Sequence, residues 1–127
     1  ITAVIRDGSF DLLYMNNQPS SNLEGIIAAH AANVPCLQHA RIEVSLNEIE
    51  TQAVNTLVSK VICVSAGVRD GLVASGVSPD KCVVIHNGID AGLKAQRDSQ
   101  AVKRELGIPD GRLVIGKVQV AVLHNGV

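Results

Sequence analysis

The sequence predicts an α/β protein whose mostly parallel sheet is flanked by helices. Short apolar runs alternate along the chain with segments of helical periodicity, which is the order that right-handed βαβ units produce. Hydrophobic residues make up 46% of the 127 residues but aromatic residues only 2%, so aliphatic side chains must fill the core, as in sheets covered by helices. Each predicted strand also ends in polar or turn-forming residues.

Four strands are expected, at residues 11–16, 35–39, 61–64 and 82–86. The third of these ends at Ser65, a good helix N-cap, and the fourth ends in Asn87-Gly88, a turn signal. Because neighbouring strands in βαβ units run parallel, all four should deliver polar loops to one edge of the sheet. Ligands of open α/β folds bind at that edge.

The helices between these strands are predicted from capping signals. Ser21 with Glu24 and Ser45 with Glu48 have the spacing of a capping box, and a third helix spans 68–75 before a glycine stop at Gly76. The apolar faces expected for the first two helices are Leu23, Ile26, Ile27, His30 and Ala31, and Leu46, Ile49, Ala53 and Leu57.

The character of the chain changes after residue 90. We expect a first domain at 1–90 and a linker or hinge at 91–97, which is short, small and polar. A further helix starts at Asp98 or Ser99 and ends at Leu106, and a strand follows at 113–118. Residues 98–127 are then the start of a second α/β domain or an added helix and strand on the same sheet.

Composition restricts the partners. Eleven basic and twelve acidic residues give a net charge of −1, so no basic field is present to hold a nucleic acid or an anionic membrane. No apolar run approaches the ~20 residues that cross a bilayer, and we expect a cytoplasmic protein. Cys36, Cys63 and Cys82 are expected to be reduced core residues. His86 and His124 have no partners at metal-ligand spacing, so neither a metal nor a cofactor is predicted.

Polar side chains at the predicted strand ends form the candidate site. Together they supply amide, imidazole, guanidinium, carboxylate and hydroxyl groups, which suit sugar hydroxyls or a phosphate. The candidate binding residues are Asn16, Asn17, His39, Arg41, Glu43, Ser65 and Asn87. None of them is assigned a catalytic role.

Each candidate also has a structural explanation. Arg41 either makes an electrostatic contact to a phosphate or to an acceptor substrate, or is a solvated loop arginine paired with Glu43. His39 is more often a satisfied strand-end histidine than a catalytic one, and Ser65 has a sufficient role as a helix cap, although the backbone amides behind it could receive an anion. The three asparagines can be strand-terminating or turn amides bonded to their own backbone.

Several segments resemble one known family in order and spacing. The run 61–90, the helix Asn-Leu-Glu-Gly-Ile-Ile-Ala-Ala at 22–29 and the loop Gln-His-Ala-Arg-Ile-Glu at 38–43 are typical of it. The hinge Asn-Gly-Ile-Asp at 87–90 and Arg-Glu-Leu-Gly-Ile-Pro at 104–109 fit as well. Together they resemble family 4 glycosyltransferases of the two-domain GT-B type, over roughly residues 11–116.

This resemblance implies a Rossmann-like, acceptor-side N-terminal domain followed by the interdomain hinge. The implied activity is retaining transfer of a sugar from a nucleotide-diphospho-sugar donor to an acceptor hydroxyl. The chain resembles only the second half of that N-terminal domain, and Val120 and Asn125 stand where the family has the arginine and lysine that clamp the donor diphosphate. The isolated chain is therefore expected to be inactive, and exposed sheet edges favour a homo-oligomer.

Two other function classes stay open on the residues alone. One is a small phosphate- or nucleotide-binding α/β module, which lacks support because no Gly-x-Gly-x-x-Gly follows a predicted strand. The other is a non-catalytic assembly fragment whose sheet edges bind a partner chain.

Overall fold

The computed structural model describes residues 1–116, and the chain divides into two compact units, Ile1–Ile89 and Asp90–Val127. The first unit contains four strands and four α-helices. In chain order these are α1 (Thr2–Asp7), β1 (Leu13–Asn17), α2 (Leu23–Ala31), β2 (Cys36–Ala40), α3 (Glu48–Leu57), β3 (Lys60–Cys63), α4 (Ala66–Ala74) and β4 (Cys82–Val84). Short 3₁₀ turns at Ser20–Asn22 and Pro79–Lys81 precede α2 and β4.

The four strands form one parallel sheet in the order β1-β2-β3-β4. The predicted α/β fold with a parallel sheet is confirmed, and the strand bounds differ from the predicted ones by up to two residues. Each pair of neighbouring strands is joined by one helix, α2, α3 or α4. Right-handed crossovers between strands in sequential order place all three helices on the same face of the sheet.

The core lies between that face and the three helices. Alternate strand residues such as Met15, Ala40 and Val61 point into it, because successive side chains of a strand face opposite ways. Ile26 and Leu72 cover them from α2 and α4, and both are fully buried. Aliphatic packing of this kind is what the low aromatic content predicted.

The opposite face of the sheet is more exposed. Tyr14 and Val83 are 52% and 41% exposed, and Leu37, His39 and Ile62 are half-buried. By register and alternation these residues share one face. We refer to this surface as the open face.

The start of α2 differs from its prediction. Ser21 is not the helix cap: its hydroxyl donates to the carbonyl of Gln18 at 3.0 Å, and the helix follows Asn22 without a side-chain cap. Pro19, already in helical geometry, begins a 3₁₀ turn two residues earlier. Ser21 therefore lies within a helical turn instead of at its boundary, and the predicted box with Glu24 does not form.

The capping box of α3 is present but lies two residues later than predicted. Asn47 Oδ1 accepts from the Glu50 amide at 3.0 Å, and Glu50 Oε2 accepts from the Asn47 amide at 2.9 Å. The chain stays extended up to Asn47 because buried Leu46 is held by a bond from its amide to Ser75 Oγ at 3.1 Å. At α4 the predicted N-cap Ser65 is confirmed, and Gly76 has the left-handed φ of +96° expected of a helix stop.

Helix faces were predicted less well than helix positions. Ile27 and Ile49, both assigned to apolar faces, are 51% and 70% exposed, whereas Ala28 and Val54 are buried. Helix α1 was not predicted at all. Small residues at inward positions make the apolar period of these helices hard to see in the sequence.

The second unit contains α5 (Ser99–Glu105), whose N-cap is Asp98, with Oδ2 accepting from the Ala101 amide at 2.9 Å. Gly107 follows it with a φ of +67°, the left-handed conformation of a glycine that ends a helix. Residues 113–116 do not form a strand, which corrects the strand predicted at 113–118. The last two of those residues lie outside the described part of the chain, as do Val120, His124 and Asn125. None of the helices within residues 1–116 is long and apolar enough to cross a membrane.

Candidate functional site

The carboxyl ends of the four strands lie side by side. The last paired row of the sheet contains Asn17, Ala40, Cys63 and Val84. One residue further on, the amide of Arg41 donates to the Asn17 carbonyl at 3.0 Å, and the next two strands continue the same pattern. The residues that follow the strands are therefore brought to one edge, which we call the carboxyl edge.

At the end of β1, Asn17 adopts a φ of +91°, a conformation that asparagine tolerates better than most residues. The side chain of Asn16 accepts a hydrogen bond from the Asn17 amide at 2.9 Å. The strand thus ends in a local turn that its own side chain closes. The bond to the local backbone, which was the structural explanation predicted for Asn16, is therefore formed. The side-chain nitrogen of Asn16 can still contact other groups.

A buried polar connection behind the edge was missed in the sequence. Asn22 Nδ2 donates to the carbonyl of Asn16 at 2.8 Å and to Oε1 of Gln38 at 3.0 Å. Gln38 is fully buried, and its Nε2 donates to the carbonyl of His39 at 3.2 Å. The signal that could have found it is a glutamine at an inward position of an otherwise apolar strand, since buried polar groups require partners.

His39 lies on the open face, one residue before the end of β2. Its Nδ1 is 2.6 Å from the hydroxyl of Tyr14, and the two rings meet edge-on. Tyr14 was not among the predicted site residues. Only the register of β1 against β2, which a single sequence does not give, places the two side chains together.

Arg41 and Glu43 are both exposed, and within residues 1–116 they form no ion pair with each other or with another residue. Glu43 instead extends over the start of α4: a Cβ added at Gly67 would lie 2.8 Å from Glu43 Oε1. The positive end of the helix dipole stabilises a carboxylate there. Glu43 therefore occupies the place where an anion could meet α4, and Arg41 is left as the exposed cation of the loop.

The remaining predicted residues lie at the other end of the carboxyl edge. Ser65 Oγ accepts from the Val68 amide at 3.2 Å, so its hydroxyl is engaged as a cap. His86 Nδ1 is 3.2 Å from the carbonyl of Val64. Asn87 is exposed, and no side-chain hydrogen bond is formed by it within the described residues. The carboxyl edge thus carries one exposed cation and several exposed hydrogen-bonding groups.

Within residues 1–116, acidic, histidine and cysteine residues do not converge on one point. In the part of the chain that the structure describes, no group of three or more could hold a metal ion. Burial raises the pKa of the Cys63 thiol to about 12, with a further contribution from neighbouring Cys82. Burial also raises the pKa of the Cys36 and Cys82 thiols. These cysteines are protonated core residues at neutral pH.

A hollow of about 720 Å³ lies in the second unit, lined in part by Val102, Leu106 and Val114. None of the predicted site residues borders it. The carboxyl edge of the first unit is an open surface, so it is the position of its polar groups, not an enclosed cavity, that makes it the candidate site.

Comparison with known families identifies the chain. The profile of Glycosyltransferase Family 4 matches residues 1–93, which includes every strand of the sheet and all seven candidate residues. The chain belongs to Glycosyltransferase Family 4. The resemblance seen in the sequence is therefore confirmed, and the carboxyl edge is that of a Family 4 glycosyltransferase sheet.

Solved structures agree with the family in fold. Crystal structures of Anabaena Alr3699/HepE with UDP and glucose, and with UDP, align with TM-scores of 0.66 and 0.68 at 23% and 21% identity. A third, in complex with UDP-glucose, has a TM-score of 0.66 and 22% identity. Each alignment covers 84% of this Family 4 chain.

The same alignments cover 31% or 32% of the Alr3699/HepE chain, so this Family 4 chain spans about a third of the length of those structures. A comparison with curated proteins found no match. The fold and the family are thus established, and the partial coverage is consistent with a fragment.

Proposed function

We propose that this chain is the acceptor-side part of a glycosyltransferase that moves a sugar from a nucleotide-diphospho-sugar to an acceptor hydroxyl with retention of configuration. The observation that carries the proposal is the family match over the whole parallel sheet, whose carboxyl edge presents exposed Arg41. In this proposal residues 91–97 are the hinge, and residues 98–127 begin the donor-side domain.

The nature of the donor is inferred from the structural relatives. The Alr3699/HepE crystals contain UDP and UDP-glucose, so a uridine diphosphate sugar is the first donor to test. Transfer from such a donor generates negative charge on the leaving diphosphate. A positioned cation stabilises that charge more in the transition state than in the ground state.

Arg41 is the residue proposed to act in this way. It follows β2 at the carboxyl edge, its backbone amide is fixed by the carbonyl of Asn17, and its guanidinium is exposed without an ion pair in the described residues. A guanidinium can bind a phosphate through two parallel hydrogen bonds. Asn87 and the amide nitrogens of Asn16 and Asn17 would add neutral hydrogen-bond donors to the same edge.

The test compares Arg41→Ala with Lys60→Ala in the full-length protein that contains this chain. Lys60 is an exposed cation at the amino end of β3, so its removal changes net charge equally but at the opposite end of the sheet. Arg41→Ala should lower kcat/KM for UDP-glucose on the order of a hundredfold, as expected for one lost transition-state contact. Equal effects of the two substitutions would contradict the proposed site.

Two further substitutions separate binding residues from scaffold. Glu43→Gln should change turnover less than Arg41→Ala, because Glu43 lies over the start of α4 and not at the proposed phosphate contact. Ser65→Ala should cost about 1 kcal/mol of stability through the lost cap and leave turnover per folded molecule nearly unchanged. If Ser65→Ala abolishes turnover without unfolding while Arg41→Ala does not, the anion site lies at the start of α4 instead.

A further inference from the structure

Tyr14 and His39 form a side-chain pair that the strand register fixes. The Tyr14 hydroxyl lies 2.6 Å from Nδ1 of His39, and the ring centroids are 5.9 Å apart at an interplanar angle of 64°. In the β1–β2 register Tyr14 pairs with Leu37, and Asn16 pairs with His39, so Tyr14 is the diagonal neighbour of His39 on the open face. The contact therefore depends on the sheet and not on a loop.

The chemistry of the two groups favours one direction of donation. The contact is satisfied either by a phenol that donates to an unprotonated Nδ1 or by a protonated Nδ1 that donates to the phenol oxygen. Because an unprotonated imidazole nitrogen is a better acceptor than a neutral phenol oxygen, donation by Tyr14 is the favoured arrangement. In neutral imidazole one nitrogen carries the proton, so acceptance at Nδ1 puts the proton on Nε2.

We propose that Tyr14 is a positioning residue that holds His39 in the Nε2–H tautomer, so that His39 donates a hydrogen bond to a ligand oxygen and does not act as a base. The ligand part of this statement rests on the proposed function, whereas the tautomer does not. Within the described residues Nε2 of His39 has no hydrogen-bond partner, and its N–H suits an oxygen of a phosphate or a sugar hydroxyl.

His86 provides an internal comparison. Its Nδ1 is 3.2 Å from the carbonyl oxygen of Val64, and a carbonyl oxygen can only accept, so the proton of neutral His86 lies on Nδ1. His39, near the end of β2, and His86, just after β4, are thus assigned opposite tautomers. One nitrogen NMR spectrum of the imidazole rings therefore tests both tautomers.

The first experiment measures ring nitrogen shifts of His39 and His86 in the 127-residue chain and in Tyr14→Phe, at about pH 8.5, where unperturbed imidazole is neutral. We expect a protonated Nε2 and a hydrogen-bonded Nδ1 for His39. In Tyr14→Phe the His39 Nδ1 shift should move to that of a free ring nitrogen and the Nδ1–H form should increase, with His86 unchanged. A protonated Nδ1 in the unsubstituted chain, or no response to Tyr14→Phe, overturns the proposal.

The second experiment tests the donor role in the full-length protein with UDP-glucose as the probe. Glutamine places an amide N–H near the position of Nε2 but does not take up a proton, so His39→Gln should keep turnover within about threefold. His39→Ala should raise KM by about 2- to 10-fold, the worth of one neutral hydrogen bond. A large and equal loss of kcat in both variants shows that His39 is a base and overturns the donor role.

The same protein tests whether Tyr14 acts through His39. Tyr14→Phe should raise KM in the unsubstituted protein and have no further effect in a His39→Ala background, because the residue that it positions is gone. An undiminished effect in that background shows that Tyr14 contacts the ligand by itself. If the protein uses neither UDP-glucose nor any other nucleotide-diphospho-sugar, the proposed function fails, while the ring nitrogen shifts still decide the tautomer.

Discussion

At the scale of single residues, Asn22 joins two strands through one amide group. Its Nδ2 reaches the carbonyl of Asn16 on β1 and the side chain of Gln38 on β2. Because Gln38 is fully buried, its amide oxygen has no access to water and depends on this donor. Asn22 therefore stabilises the end of the sheet from which the candidate site projects.

Asn22→Ala should lower the free energy of unfolding by about 1–3 kcal/mol, the cost of an unsatisfied buried polar group. Ser21→Ala is the matched control, because Ser21 only donates to Gln18 in an exposed turn and should change stability by less than about 0.5 kcal/mol. Urea unfolding followed by circular dichroism measures both. If Ser21→Ala destabilises the chain as much as Asn22→Ala does, Ser21 caps the helix after all.

The buried cysteines predict how stability depends on pH. Burial raises the pKa of the Cys63 thiol from 9.0 to about 12, so in alkaline solution the unfolded chain ionises this thiol first. Stability from this group is fully present below pH 9 and is lost as the pH rises towards 12. Unfolding free energies measured across this range should fall more steeply for the unsubstituted chain than for Cys63→Ala. Parallel pH profiles would show that Cys63 is not the cause.

The sequence predicted which residues follow each strand, but not which side chains of neighbouring strands lie together. Strand ends identified Arg41 and His39, since parallel strands share a carboxyl edge. The partners of those residues depend on register between strands, so Tyr14 beside His39 and Glu43 over Gly67 could not be predicted. Gln38 is the exception, because its polar side chain in an alternating apolar strand already required a buried partner.

At the scale of elements, the two predicted capping boxes show what spacing alone cannot decide. A serine three residues before a glutamate fits the box at Ser21 and at Ser45, and neither serine caps a helix. Burial of Leu46 fixes the chain in an extended form up to Asn47, so the helix begins where tertiary contacts allow it. Ser65 was predicted correctly because it directly follows the strand predicted at 61–64. The helix α4 therefore has only one possible start.

Asn47→Ala should destabilise the chain by about 1 kcal/mol through loss of the α3 cap. Ser45→Ala, two residues away and exposed, should have little effect. Glu50→Ala should cost part of the stability that Asn47→Ala costs, because it removes the reciprocal hydrogen bond of the capping box. Chemical unfolding of the three variants measures these differences, and a larger loss for Ser45 than for Asn47 contradicts the observed cap.

At the scale of the whole molecule, strand order explains why the two faces of the sheet differ. Sequential order with right-handed crossovers puts α2, α3 and α4 on one face. The alternation of βα units in the sequence was enough to predict the mostly parallel sheet, but not the order of its strands. It could not predict that, in the described residues, the helices between the strands cover one face of the sheet only. Strands buried on one face and strands buried on both faces give similar short apolar runs in a sequence.

The open face and the edge strand β4 predict self-association of the 127-residue chain. Within residues 1–116, β4 pairs only with β3, so its outer backbone groups are unpaired, and Val83 in its centre is 41% exposed. A lysine on an edge strand opposes pairing with a second chain. Val83→Lys should therefore weaken association, whereas Ile49→Lys, on an α3 site that is 70% exposed, should leave it unchanged.

Sedimentation velocity over a range of protein concentrations distinguishes these outcomes. The unsubstituted chain and Ile49→Lys should shift to larger species as concentration rises, and Val83→Lys should remain smaller at the same concentrations. Both substitutions add the same charge, so general repulsion would affect them equally, and only a contact through the sheet separates them. A monomeric unsubstituted chain at every concentration would exclude association, and equal weakening by the two lysines would move the contact away from β4.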